Sequence, residues 1–317
     1  MLSRTAENLF WIGRYLERAE TMTRLLAVGA RIALIPQVGE GFRNEWDSLL
    51  QASGTAAGFR RKYGEAVQRN IESYLFFDRD NPSSVASCFE RARENGRIVR
   101  TALSAQVWDA LNGAFQDLHA LERLPRSEID IARLVDWTTR HAALAKGAID
   151  STLLRNDGWD FLHLGFCLER ADNTARLIDV KYYVLLPRAD FVGSGLDSYQ
   201  WQTLLRAFSA HRAFHWAYGG EISAAKVAHF LILNPQCPRS LITSVEEANL
   251  HLERLAAAYG AETRAQERAR ELLAELAGTN VDRIFDEGLH GFLSRFIAST
   301  ADLAQTVGDC YLTGQAP

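Results

Sequence analysis

Two glutamates, each followed directly by an arginine, carry the strongest chemical signal in the chain. The two pairs are Glu17-Arg18 and Glu169-Arg170. A carboxylate beside a guanidinium can hold the amine and the carboxylate of a ligand, and the carboxylate can also serve as a general acid or base. The same groups can instead form buried ion pairs that fix helix packing, and losing one partner of such a pair costs about 3–5 kcal/mol. We favour this structural interpretation, because a feature that occurs twice more simply serves a repeated fold.

The sequence around each Glu-Arg pair repeats at helical spacing. Residues 9–28 and 161–180 are identical at eight of twenty positions, at an offset of 152. In each stretch, a stripe beside the apolar face opens with a glycine and ends with an acid and a base four residues apart, an order that stabilises a helix. The members of the two stripes are Gly13, Glu17, Glu20, Arg24 and Gly165, Glu169, Asp172, Arg176.

These stripes predict how the two helices meet. Glycine lets a second backbone approach closely, although it costs about 1 kcal/mol of helix propensity. We therefore predict that the helices cross at Gly13 and Gly165. Each glutamate should then pair with the arginine of the other helix. The predicted pairs are Glu17–Arg170 and Glu169–Arg18.

Arginines in segment 92–100 form a second candidate site. Arg93, Arg97 and Arg100 recur at intervals of four and three, so they can project from one helix face. At an offset of 156 the second half has no arginine at the matching positions. Such a face can bind a carboxylate, a phosphate or a partner protein, and the candidate residues are Arg93, Glu94, Asn95, Arg97 and Arg100. The alternative is a solvated helix face with ion pairs to Glu90 and Glu94.

Metal and cofactor signals are weak. His211 and His215 lie one helical turn apart, but a zinc site needs further ligands, and packing beside Phe214 is the simpler interpretation. Glu287-x-x-His290 is a single copy of a motif that di-iron bundles need twice. The chain also has no Gly-rich phosphate loop after a strand, so we assign it no cofactor and no ATP site.

Long helices are needed to position these residues, and the apolar periodicity is helical almost throughout. We predict an all-α multi-helix bundle with Ser3, Ser83 and Ser127 as candidate N-caps. The predicted helices cover residues 3–34, 44–58, 59–76, 83–104, 106–124, 128–154, 159–186, 197–218, 221–233, 239–258, 261–277 and 281–312.

The match between the two halves extends beyond the Glu-Arg helices. Matching positions include Trp46 and Trp201, Leu49 and Leu204, and Pro82 and Pro238, while the offset drifts only from 152 to 156. We therefore predict an internal duplication, with helical repeats at residues 1–156 and 157–317 that form one compact unit. One departure is Phe166, which stands where Arg14 stands in the first helix.

Composition excludes several classes of protein. Hydrophobic residues make up 47% of the 317-residue chain and charged residues 23%, which is typical of a globular protein. The net charge of −4 gives no basic field for nucleic acid or anionic membrane. The four cysteines are scattered, which fits a reducing compartment, and no uncharged apolar run is long enough to span a membrane. We expect a cytoplasmic protein, and a homo-oligomer is possible because symmetric dimers are common among soluble proteins.

Four stretches resemble one bacterial family, the alpha-E domain proteins. They are AENLFWIGRYLERAE (6–20), NPSSVASCFERARENGRIVR (81–100), GWDFLHLGFCLERADNTARLIDVKYY (158–183) and FLILNPQCPRSL (230–241). The resemblance implies a helical protein of unknown biochemical function. It also implies a link, by gene neighbourhood or fusion, to a circularly permuted ATP-grasp ligase, a transglutaminase-like peptidase and sometimes a proteasome-like peptidase.

From this resemblance we expect a helper or binding component of a bacterial peptide-ligation or peptide-modification system that acts with an ATP-grasp ligase. One alternative is an enzyme that uses a polar cavity lined by glutamate and arginine for acid/base or carboxylate-binding chemistry. A weaker alternative is a metal-binding helical bundle.

Overall fold

The computed structural model describes residues 1–33, 45–185 and 195–313, and every regular element in these ranges is helical. The α-helices are α1 Ser3–Ile32, α2 Glu45–Ala52, α3 Ala56–Lys62, α4 Gln68–Glu72, α5 Val85–Ile98, α6 Ala105–Glu122, α7 Ile131–Thr152, α8 Asp157–Leu185, α9 Gly195–Ala207, α10 His211–Tyr218, α11 Ala224–Ile232, α12 Leu241–Tyr259, α13 Arg264–Ala277, α14 Val281–Asp286 and α15 Leu289–Val307. Short 3₁₀ turns occupy Arg100–Ala102 and Arg126–Glu128, and π-helical turns occupy Ser73–Phe77 and Gly308–Leu312. The predicted all-α class is confirmed.

Two long helices, α1 and α8, form the centre of the molecule and make the most extensive helix contact in the described part of the chain. Helix α1 also packs on α5 and α7, and helix α8 packs on α12 and α15. Helix α6 contacts α5 and α7, while α13 contacts α12 and α15. Helices α2 and α9 each pack on the central helix of the other half, α2 on α8 and α9 on α1. Apolar side chains from both halves form one buried core.

Some predicted helix boundaries were wrong, and backbone conformation explains two of them. The single helix predicted over 197–218 is divided into α9 and α10 at Ser209, whose φ is 56°. The helix predicted over 281–312 is interrupted at Gly288, whose φ is 89°. Helix α3 runs through the boundary predicted near residue 58. The predicted ends at residues 34, 44 and 186 lie outside the described residues.

The three predicted N-caps were also wrong. Ser3 lies inside α1, which has no side-chain cap. Ser84, rather than Ser83, caps α5, and Asp130, rather than Ser127, caps α7. The side-chain oxygen of Ser84 accepts the backbone N–H of Ser87, and that of Asp130 accepts the backbone N–H of Arg133, each in the first turn of its helix.

No helix within the described residues is both long enough and apolar enough to cross a bilayer.

Candidate functional site

The two Glu-Arg helices meet backbone to backbone at their glycines. A Cβ atom at Gly13 would collide with the carbonyl oxygen of Leu162, and one at Gly165 would collide with that of Phe10. Glycine alone lacks this atom, so no other residue allows so close an approach. The predicted crossing is confirmed, and it brings each Glu-Arg pair beside the opposite helix.

Glu169 is held by two arginines of α1. Arg18 donates to it through Nε and Nη2 at 2.6 and 2.9 Å, and Arg14 donates through Nε at 2.7 Å. The Trp11 ring lies 5.1 Å from Cζ of Arg14 and 5.9 Å from Cζ of Arg18, so it supports both guanidinium groups. The predicted Glu169–Arg18 pair is confirmed, and Arg14 completes what we call the Glu169 cluster.

Glu17 is fully buried and contacts cations from three other segments. Lys146 of α7 lies 2.8 Å away, Arg239 before α12 donates to it directly, and Arg170 of α8 lies 3.5 Å away. Glu20 contacts the same lysine, at 3.1 Å, and the same Arg239. These five residues form the Glu17 cluster. The predicted Glu17–Arg170 pair is present, but Lys146 and Arg239 hold Glu17 more closely.

Arg170 is the most loosely held member of the Glu17 cluster. Besides Glu17, it contacts Glu247 at 3.4 Å and the carbonyl oxygen of Pro238 at 3.5 Å. Its buried Nε has no hydrogen-bond partner within the described residues. Arg170 therefore retains hydrogen-bonding capacity beside Glu247, a carboxylate at the surface.

Both glutamates are ionised in the folded chain. Burial alone would raise the pKa of Glu169, but Arg18 and Arg14 lower it to about 2. Burial would also raise the pKa of Glu17, yet the cations of its cluster hold that pKa well below its usual range. A general acid or base works best with a pKa near the working pH. These carboxylates therefore suit charge pairing better than proton transfer.

Acid should weaken the fold through Glu169. Its pKa of about 2 in the folded chain lies below the value of about 4.3 for an unfolded glutamate. Its stabilisation is therefore complete above the unfolded pKa and is lost as the pH falls from about 4.3 towards 2. We expect the free energy of unfolding, measured with urea, to fall across this interval. The fall should be smaller in Glu169→Gln, and equal falls in the two chains would contradict the assignment.

The two predicted i,i+4 pairs are present. Nε of Arg176 donates to Asp172 at 2.7 Å. Arg24 lies 3.4 Å from Glu20 and also donates to the carbonyl oxygen of Ala207 at the end of α9. Arg24 thus ties α1 to a helix of the other half.

The extra cations of the two clusters, Arg14, Lys146 and Arg239, were not predicted from the sequence. Phe166 cannot supply the charge that Arg14 supplies in the matching position, and Lys146 reaches the Phe166 ring from α7, with Nζ 5.2 Å from its centroid. Lys146 thereby replaces the missing cation for Glu17. Two features of the sequence single out Lys146 and Arg239. Lys146 is one of only four lysines in the chain, and Arg239 lies in FLILNPQCPRSL, one of the four stretches that resemble the family.

The arginines of segment 92–100 do not form one shared face. Arg93 donates from Nε to Asn112 at 3.1 Å and lies over the Phe115 ring at 4.5 Å. Arg100 lies over the Trp108 ring at 5.0 Å. These two arginines are held against α6.

Arg97 is separate from them and forms an exposed pair with Glu94 at 2.6 Å. Glu90 instead pairs with Arg79, also at 2.6 Å. Asn95 accepts the backbone N–H of Val99 through its own carbonyl oxygen. The solvated interpretation therefore holds for Arg97 and Glu94, while the expected pairing with Glu90 was wrong.

The two histidines of α10 contact each other, with ring centroids 4.6 Å apart. His215 is exposed, and Phe214 beside it is buried. Across the described ranges, no group of three or more His, Cys, Asp or Glu side chains could hold a metal ion. The metal-binding alternative gains no support from this geometry.

Three similar proteins are mycobacterial and carry descriptions that say only that they are uncharacterized. One is from Mycobacterium bovis and two are from strains of Mycobacterium tuberculosis. Each is 24% identical over 334 aligned residues, which cover 96% of this chain and 36% of the relative. The chain thus spans about a third of the length of these relatives. No solved structure matches it.

The family comparison agrees with the geometry of the two clusters. Residues 1–312 match Alpha-E, described as a predicted alpha-helical domain with a conserved ER motif. The fold is all-helical, and Glu17-Arg18 and Glu169-Arg170 are the Glu-Arg pairs around which its central helices cross. With almost the whole chain matched, the protein belongs to the Alpha-E family.

Proposed function

We propose that this chain is a helper or binding component of a bacterial peptide-ligation or peptide-modification system and acts with an ATP-grasp ligase. One observation carries the non-catalytic part of the proposal. The carboxylates of both Glu-Arg pairs are buried, ionised and each contacted by two or more cations of the same chain. Groups held in this way stabilise a helix crossing and are poorly placed to react with a substrate.

The geometry disfavours the enzymatic alternative for the same reason. A proton-transferring carboxylate needs a pKa near the working pH, whereas the pKa of Glu169 is about 2. Arg18 is engaged with Glu169 through two N–H groups. Arg170 is the motif residue with spare donors, so any ligand contact within the motif would fall there.

The choice of partner rests on the resemblance and on the length of the relatives. The resemblance links this family to an ATP-grasp ligase and to a transglutaminase-like peptidase. In the mycobacterial relatives the matched region is joined to a longer chain, which supports a unit that works beside others. The proposal places the chain in the cytoplasm, where a ligase has access to ATP.

Co-purification tests the proposal. The tagged chain, expressed in its native bacterium, should recover an ATP-grasp ligase in near-stoichiometric amount, identified by mass spectrometry. Added to that ligase, the purified chain should change its peptide-dependent ATP turnover while hydrolysing no ATP alone. Recovery of the chain without a ligase, or a turnover that it does not change, would contradict the proposal.

We also propose that the two halves arose by internal duplication. The order of helix contacts supports this. In the first half α1 packs on α5 and α7, and α6 packs on both of these helices. In the second half α8 packs on α12 and α15, and α13 packs on both. Glycines stand at matching places in the crossing. A crystal structure in which these two sets of helices fail to superpose in chain order would contradict the duplication.

A further inference from the structure

A pocket of about 420 Å³ lies between α4, the π-helical turn Ser73–Phe77 and the start of α7. None of its lining residues belongs to the Glu169 or Glu17 clusters. Its volume falls in the range of about 300–1,000 Å³ that is typical of small-molecule sites. Its polar lining residues are Gln68, Arg69, Glu72, Ser73, Arg126 and Ser127. The pocket is therefore large enough for a small ligand and rich in groups that could orient one.

Neither of the two arginines that line the pocket has an ion-pair partner within the described residues. Arg69 and Arg126 both line the pocket, and neither pairs with a carboxylate within the ranges the structure describes. Partial burial and the positive charge of Arg69 lower the pKa of Arg126, while attraction to Glu122 and Glu72 opposes this shift without cancelling it. Two neighbouring cations favour an anion between them when the carboxylates nearby, here Glu72 and Glu122, form no ion pair with either of them.

Arg126 is held in place by a ring rather than by a charge. Its Cζ lies 3.6 Å from the centroid of the Phe77 ring. Stacking of this kind fixes the plane of the guanidinium and leaves the N–H groups at its edge available to a ligand. Phe77 ends the π-helical turn, a local distortion that is frequent at functional sites.

Glu72 supplies the opposite charge at the same pocket. Gln68 donates from Nε2 to Oε1 of Glu72 at 2.7 Å and so orients the carboxylate. Burial raises the pKa of Glu72, Gln68 and Arg126 only partly oppose this rise, and an ammonium group would lower the pKa further. The pocket therefore presents cations and a carboxylate together.

The fold does not need these residues, because the matching helix of the second half lacks them. Helix α11 is a regular α-helix. At an offset of 156 it holds Ala224, Ala225 and Ala228 where the first half holds Gln68, Arg69 and Glu72. These polar residues occur in the first half alone, which is expected of a ligand site and not of a feature that the repeated fold requires.

We propose that this pocket binds the α-carboxylate of a short peptide or a free amino acid, with Arg69 and Arg126 on the carboxylate and Glu72 on an ammonium group. The apolar wall formed by Phe77, Ile129 and Leu134 would contact the body of the ligand. The inference that the ligand is a peptide rests on the proposed function, whereas the inference that an α-carboxylate is recognised rests on the pocket itself.

Calorimetric titration of the full chain tests this site with four probes: the dipeptide Ala-Phe, its C-terminal amide, its N-acetyl form and free phenylalanine. Ala-Phe should bind, and the amide should bind at least about tenfold more weakly, because charge-assisted hydrogen bonds are lost. The N-acetyl form should also bind more weakly than Ala-Phe. Phenylalanine binding as tightly as Ala-Phe would identify the source as a free amino acid, and weaker binding would identify a peptide.

Variants assign the binding to the pocket. The double variant Arg69→Gln/Arg126→Gln should lose Ala-Phe binding while keeping the wild-type melting temperature, since both side chains are exposed. Arg97→Gln, which removes an exposed arginine of α5, should bind as the wild type does. Equal binding of acid and amide, unchanged binding by the double variant, or no binding of any probe would overturn the site.

The same variant separates this proposal from the proposed function. A double variant that still recovers the ligase but no longer binds Ala-Phe supports both proposals. Dipeptide binding by a wild-type chain that recovers no ligase would remove the partnership and leave the pocket. Ligase recovery by a wild-type chain that binds no probe would remove the pocket alone.

Discussion

Glu17→Gln should lower the free energy of unfolding by about 3–5 kcal/mol, the typical cost of breaking a buried ion pair. Glu17 is fully buried, and its charge is shared among Lys146, Arg170 and Arg239. An amide in its place leaves Lys146 and Arg239 to Glu20, and Arg170 to the surface carboxylate of Glu247. Urea denaturation followed by circular dichroism measures the loss.

Glu94→Gln is the matched control, because it makes the same chemical change in an exposed pair with Arg97. A solvated ion pair contributes little to stability, so this variant should unfold close to the wild type. Equal losses in the two variants would show that burial and the three cations do not increase the contribution of Glu17 to the free energy of unfolding.

Gly13→Ala should destabilise the chain by about 3 kcal/mol, at the upper end of the usual cost of overpacking. The new Cβ atom would meet the carbonyl oxygen of Leu162, which is backbone and cannot rotate away. Helices α1 and α8 would have to separate at their crossing. Alanine's better helix propensity, worth roughly 1 kcal/mol, offsets only part of that cost. Denaturant titration gives the difference.

Gly113→Ala, in the middle of α6, is the control for this substitution. A Cβ atom there has nothing within 4 Å, so the variant should gain up to about 1 kcal/mol from helix propensity. The two Gly→Ala changes should therefore differ in sign. A Gly13→Ala chain as stable as the wild type would show that the helices do not meet at this residue.

Local pattern was enough to predict the helical class and the glycine crossing. The apolar stripe and Gly13 lie on one helix, and their counterparts on another helix share the same spacing. A glycine beside a charged stripe has few explanations other than close backbone approach, so the pairing of Glu169 with Arg18 followed. These inferences needed no knowledge of how distant segments pack.

The rest of the Glu17 cluster depends on tertiary packing that spacing cannot show. Lys146 comes from α7 and Arg239 from the turn before α12, and both reach Glu17 across the core. The helical spacing of Arg93 and Arg97 would place both on one face, yet of these two only Arg93 packs against α6. The pocket at Arg126 combines a π-helical turn and a 3₁₀ turn, neither of which has a periodic sequence signal.

Glu169→Gln distinguishes most clearly whether the Glu-Arg carboxylates hold the fold together or perform chemistry. Its free energy of unfolding should be measured beside its recovery of the ligase and its effect on ATP turnover. A structural role for these carboxylates requires a loss of about 3 kcal/mol or more, with the remaining folded chains still binding the ligase and changing its turnover. A variant with the wild-type free energy of unfolding and no effect on the ligase would contradict it.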